Sequence, residues 1–207
     1  MNKTLAILGL ASASILFTNT AAASIACTPT QSFTPNSDYS ASYTVCGGAF
    51  LSMTITAKTT GWVAVGFSKD QFMANTDMVT GGVNTDGTLY LNDRFASNHS
   101  APAVDATQNA TPITQTSSES NGITTLTFTR LLNTGDATGD FNLADGSYYL
   151  LWAYGSSDTF GRHTARGASA TQISFAAPVP VPAAAWLFGS GLLGLLRFKS
   201  AAKKAGI

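Results

Sequence analysis

The sequence predicts an all-β fold, an antiparallel sandwich, on three observations. Residues 50–59 and 122–130 alternate apolar and polar side chains with a period of two, as half-buried strands do. Asn84-Thr85-Asp86-Gly87 separates two strand-like stretches and is a strong hairpin turn signal. Nowhere does a 3.6-residue apolar period persist between helix caps, so little helix is expected.

In residues 50–59, Leu51, Met53, Ile55 and Ala57 point one way, and Ser52, Thr54 and Thr56 the other. That alternation places Met53 in the core rather than at a metal. Residues 62–67, WVAVGF, are apolar throughout, as expected of a strand covered on both faces. Residues 78–83 and 88–92 flank the hairpin turn. Residues 122–130 set Leu126 and Phe128 opposite Thr125, Thr127 and Thr129, and residues 148–154 and 168–175 complete the set. The connection 96–111 is long, and loops of that length are commonly functional lids or mobile segments. A core of roughly 150 residues can bury a substantial interior and a small cofactor.

The two ends differ from this core. Residues 1–23 have the form of a signal peptide: Lys3, an apolar run over 5–17, then Ala21-Ala22-Ala23 as a cleavage site. A buried N-terminal helix is the competing reading, and the three small residues argue against it. Export sets an oxidising compartment, in which Cys27 and Cys46, without CxxC spacing, are expected to pair and close an N-terminal loop. Free buried thiols are the other reading. At the far end, residues 178–182, PVPVP, exclude helix. Residues 183–196 are then apolar on all faces, and Arg197, Lys199, Lys203 and Lys204 follow. Counted from residue 176, the run reaches the ~20 residues of a transmembrane helix with its basic end in the cytoplasm. The expected organisation is a signal peptide at 1–23, a sandwich domain at 24–177 and a tail with a transmembrane helix at 178–207.

Charge and motifs exclude several function classes. Eleven Lys or Arg residues balance 11 Asp or Glu, and only 11% of the chain is charged, so nucleic acid is not an expected partner. GxSxG is absent from the sequence, and the histidines are His99 and His163 alone. With the cysteines paired, too few ligands remain for zinc. Asp136 and Asp140 in NTGDATGD lack the ligand spacing of a calcium loop and read as a turn-rich linker.

Two residues remain that carry chemistry. Met73 lies just past the strand at 62–67, and His163 just past the strand at 148–154, so the two could face one another across a pocket. Haem needs only one or two axial ligands, and a His and Met pair raises the potential of the iron. CxxCH does not occur, so such a haem would be non-covalent, of the b type. From residue types alone, core packing for the methionine and a solvated loop for the histidine stay open. Met78 and His99 are the runner-up sulfur and imidazole.

Two resemblances extend this reading. The tail VPVPAAAWLFGSGLLGLL, continuing to Lys204, resembles the PEP-CTERM sorting signal of Gram-negative bacteria, though it lacks the literal Pro-Glu-Pro. The resemblance implies processing by an exosortase and delivery to the periplasm, envelope or extracellular matrix. GWVAVGFSKDQFMANTDMVTGGV, NGITTLTFTRLL and YLLWAYGSSDTFGRHTARG, in that order, resemble a DOMON domain over about residues 48–175. The likeness is to the cytochrome-type branch that includes the haem domain of cellobiose dehydrogenase.

That resemblance implies an immunoglobulin-like β-sandwich with haem b held between Met73 and His163. It implies one-electron transfer to a redox partner protein or small electron carrier, without enzymatic activity of the chain alone. Arg166 would pair with a haem propionate or sit as an ordinary surface arginine. Asp77 would either set the angle of Met73 through backbone hydrogen bonds or serve as a turn carboxylate. The alternative function is a haem-free module that binds carbohydrate or another matrix component, which leaves the retention of both Met73 and His163 unexplained. A copper monooxygenase is the poorest reading, since the ligands of its catalytic domain are missing from this sequence.

Overall fold

The computed structural model of the protein describes residues 25–176. The expected signal peptide and sorting tail, including the transmembrane helix, lie outside the described residues. The strands are β1 (Gln31–Phe33), β2 (Tyr39–Cys46), β3 (Phe50–Ala57), β4 (Val63–Ser68), β5 (Thr76–Val83) and β6 (Leu89–Ala96). They continue with β7 (Ala103–Val104), β8 (Thr111–Pro112), β9 (Ser118–Ser120), β10 (Ile123–Leu131), β11 (Tyr149–Tyr154) and β12 (Ala165–Ala168). One sheet runs β1-β2-β3-β10-β8 with β9 also on β10, and the other runs β12-β11-β4-β5-β6-β7. Every pairing is antiparallel. A single 3₁₀ turn, Thr114–Thr116, is the helical content of the described residues, and none of their helices is long and apolar enough to cross a membrane.

The alternation in the sequence sets the two faces of the first sheet. Leu51, Met53 and Ile55 of β3 and Leu126 and Phe128 of β10 are fully buried in the core. Outward from them, the registered pairs Thr54–Thr127 and Thr56–Thr125 join hydroxyls at 3.0 and 3.3 Å. From the second sheet, Val63, Val65, Phe67, Leu150, Trp152 and Tyr154 face the same core. The hairpin turn closes β5 onto β6 with Gly87 at φ +84°, a backbone conformation that glycine adopts without strain.

Two elements differ from expectation. Residues 31–46, expected within a disulfide-closed loop, supply β1 and β2. In β2, Tyr39, Ala41, Tyr43 and Val45 alternate into the core against Ser40, Ser42 and Thr44. The last strand ends at Ala168, where the expected strand began. There Ser169 Oγ, rather than a backbone carbonyl, accepts from Leu150 N at 3.0 Å and interrupts the ladder. Beyond it Phe175 still packs into the core between the rings of Tyr43 and Phe67.

A disulfide joins Cys27 to Cys46 across a sequence separation of 19 residues and ties the start of the described chain to β2. A loop of this length restricts the unfolded chain by about 3 kcal/mol. Thermal melts with and without reductant are therefore expected to differ by several degrees, and coincident melts would refute this.

Candidate functional site

The second sheet has two unlike faces. Inward it carries Val63, Val65, Phe67, Leu150, Trp152 and Tyr154, while outward the same strands offer Ala64, Gly66, Leu151, Ala153 and Ala168. These small outward residues make a shallow apolar floor. A side chain at Gly66 would drive its Cβ to 2.6 Å from the Thr76 side chain, so the floor cannot rise there without repacking. This accounts for β4 being apolar from Val63 to Phe67: one face fills the core and the other floors a cavity.

The cavity holds about 460 Å³, within the range of about 300–1,000 Å³ usual for small-ligand sites. Its walls come from three connections. The β4–β5 turn contributes Gln71, Phe72 and Met73, residues 99–102 contribute His99 through Pro102, and the β11–β12 loop contributes Phe160 through His163. Met73 and His163 thus border the same space, and both are half-buried. Met78 and His99 border it too, so all four candidate ligands converge on one cavity.

Local hydrogen bonds set each wall. In the turn, Ser68 Oγ and Thr76 Oγ1 both donate to Phe72 O, at 3.3 and 3.1 Å. Asn75 completes the turn at φ +56°, a left-handed conformation that asparagine tolerates better than most residues. The β11–β12 loop is anchored where Tyr90 Oη donates to Asp158 O at 3.0 Å and where Trp62 packs on Phe160 with ring centroids 4.9 Å apart. Arg94, on the outer face of β6, links two walls. Its Nη1 donates to Pro102 O at 2.8 Å, its Nε donates to Thr80 Oγ1 at 3.0 Å, and its guanidinium lies 4.1 Å from the Phe160 ring centroid.

Arg166 lies on β12 at the cavity rim, with its Nη1 3.0 Å from His163 Nε2. A guanidinium only donates, so in this contact Nε2 is the acceptor. Arg166 thereby helps fix the orientation of the His163 ring at the rim. Arg162, adjacent to His163 in GRHTARG, lines the same rim. Sequence reasoning missed Arg162 and Arg94. For Arg94 the signal was an arginine at an outward position of the strand LYLNDRFA.

Asp77 does not lie in the turn and does not position Met73. It is fully buried in β5 and faces the interior, where Arg130 Nη1 donates to both of its oxygens at 2.9 and 3.0 Å and Phe141 N donates at 3.0 Å. Alternation along β5 sends Asp77 inward and Met78 outward, so the neighbouring residues serve different sites.

The model for the DOMON domain matches residues 35–155, which includes β4, the Met73 turn and all of β11 and stops short of His163 and β12. DBH-like monooxygenase protein 1 of Homo sapiens is 32% identical over 111 residues, 54% of this chain and 18% of that protein. "Putative ferric-chelate reductase 1" of Danio rerio is 30% identical over 120 residues, 57% of this chain and 20% of that protein. The similarity therefore spans about a fifth of each relative's length. Among solved structures, the cytochrome domain of Myriococcum thermophilum cellobiose dehydrogenase superposes with a TM-score of 0.51 at 18% identity. That superposition covers 73% of this chain and 85% of the other, a likeness of fold. The family match extends over more than half of the sequence and takes in both sheets, and the chain accordingly belongs to the DOMON domain family.

Proposed function

We propose that this chain is an exported, envelope- or matrix-associated b-type haem protein acting in one-electron transfer. The observation that carries the reading is the convergence of Met73 and His163 on one apolar cavity with a floor of small side chains. A flat macrocycle suits a shallow floor, and the donor set, one thioether and one imidazole nitrogen, suits haem iron. The similarity in fold to a cytochrome domain supports the same direction.

In this reading Met73 and His163 would hold the haem iron, and Arg166 and Arg162 at the rim would pair with the haem carboxylates. Arg166, which contacts His163 Nε2 in this structure, would be available to a haem carboxylate. Ala64, Gly66, Leu151, Ala153 and Ala168 on the floor, with Phe160 and Trp62 on the walls, would exclude water from the cavity. Bound there, haem b would supply exchange of a single electron between ferric and ferrous iron. With both iron ligands supplied by the protein, the chain would be a carrier and not an enzyme by itself. Its partners are a redox protein or a small electron carrier. Residues 1–23 support export, and residues 178–207 support an exosortase partner and at least transient anchoring in the membrane of a Gram-negative cell.

The test is the visible spectrum of the full chain, purified with haem supplied, before and after dithionite. A sharp Soret band with resolved α and β bands on reduction is expected. A folded protein that stays colourless through a haem titration would overturn the proposal and leave the carbohydrate-binding module.

A further inference from the structure

A second cluster lies inside the sandwich, on the opposite side of the second sheet from the cavity. Asp77 of β5, Asp93 of β6 and Asp140 of the β10–β11 connection bring carboxylate oxygens within 4.8 Å of one another. Arg130 of β10 is their only close guanidinium among the described residues, with Nη1 on Asp77 and Nη2 3.2 Å from Asp140 Oδ1. Asp77 and Asp93 are 0% exposed and Asp140 is 8% exposed. Three carboxylates against one guanidinium leave two negative charges in the interior, and an uncompensated buried charge is strongly unfavourable.

The hydrogen bonds show where compensation is missing. Asp77 is saturated by Arg130 and Phe141 N. Asn109 supplies one donor to each of the others, N to Asp93 Oδ2 at 3.2 Å and Nδ2 to Asp140 Oδ2 at 2.8 Å. Asp93 Oδ1 has no partner among the described residues although its side chain is fully buried. Asp140 Oδ1 faces Arg130 without a formed hydrogen bond, and Asp105 Oδ2 is likewise buried without a donor. Interior carboxylate oxygens are ordinarily paired, so orphaned ones on neighbouring segments point to a missing cation.

We propose that Asp93 and Asp140, with Asp77 beside them, hold one divalent cation of the hard, oxygen-seeking class, with calcium the best fit. Two positive charges neutralise the residual charge of the cluster. The donors are all oxygens, which disfavours zinc. Calcium accepts six to eight oxygens in irregular arrangements and takes backbone carbonyls readily, whereas magnesium demands octahedral geometry and keeps its waters. Asp136 is not part of the site, because its Oδ1 accepts from Thr138 N, Thr138 Oγ1 and Gly139 N within its own turn. The segment NTGDATGD thus delivers one ligand, Asp140, to a site assembled from three places in the chain. The ion would fasten the β10–β11 connection to β5 and β6.

The experiment uses the full chain, freed of metal by chelator and titrated with calcium chloride by calorimetry and thermal unfolding. Neither readout depends on haem. One calcium per chain is expected, with the melting temperature rising by roughly 5–10 °C at calcium a hundredfold above Kd. Asp93→Asn is expected to weaken calcium binding at least tenfold and to raise the melting temperature in chelator. If that variant does not fold, Asp140→Asn carries the same comparison. Absence of calcium binding by the wild-type chain would overturn the proposal and mean that the cluster balances its charge with protons. Undiminished binding by the folded variant would overturn it as well, since the ion would then sit elsewhere.

Discussion

Arg130→Met is expected to lower the melting temperature by roughly 10 °C or more at pH 7.5 in chelator. The substitution keeps most of the side-chain volume and removes the guanidinium set among three buried carboxylates. Breaking a buried pair by removing one partner typically costs about 3–5 kcal/mol, because the other charge stays behind. The carboxylates already register their crowding. Burial is the largest influence on Asp93 and, with the charge of Asp140, pushes its carboxyl up to about 6. Burial likewise raises Asp77 to about 7, against the pull of Arg130. A pKa raised in the folded state means that the fold binds a proton more tightly than the unfolded chain does. The stability linked to it is therefore complete below the ordinary value of 3.8 and is lost as pH rises through about 6. The variant should recover part of its stability at pH 5, where these acids take up protons. Lys58, whose partner Asp38 is also exposed, is the contrast: Lys58→Ala should melt with the parent. An Arg130→Met melt within a degree or two of the parent at pH 7.5 would refute the account.

His163→Ala in the haem-loaded chain is expected to abolish the sharp α and β bands of the reduced spectrum and to weaken haem binding on the order of 100-fold. The estimate follows from losing about 3 kcal/mol of ligation. Met73→Ala should keep the haem more tightly than His163→Ala but lower the potential, since a thioether favours ferrous iron. Met78 and His99 border the same cavity, which makes Met78→Leu and His99→Gln the informative controls. Both should leave the bands in place. Bands that survive His163→Ala and disappear with His99→Gln would move the imidazole ligand to the neighbouring loop.

Much of this molecule was legible where local pattern and burial coincide. Leu51, Met53 and Ile55, like Leu126 and Phe128, sit on the core face that their alternation predicted, and the Asn84–Gly87 turn closes the hairpin it announced. β2 was harder, because its inward positions include a small Ala41 and its outward ones are Ser and Thr, a composition shared with loops. The convergence on the cavity was partly legible, since Met73 and His163 each follow an apolar strand. That His99 and Met78 join them depends on how the loops fold over the sheet, which no local pattern encodes. The charged cluster was illegible for another reason. Asp77 and Arg130 stand 53 residues apart and meet only because β5 and β10 lie in facing sheets. A signal did exist: Asp77 shares the inward phase of Val79, and Arg130 that of Leu126 and Phe128.

The opposed side chains of Asp77 and Met78 turn β5 into a reading frame. A slip of one residue would push a carboxylate into the apolar cavity and a thioether into the nest of charges, so both compartments reject it at once. The flanking turn is under no such lock. Insertions or deletions around residues 69–75 would resize the mouth of the cavity and move Met73 while the frame held.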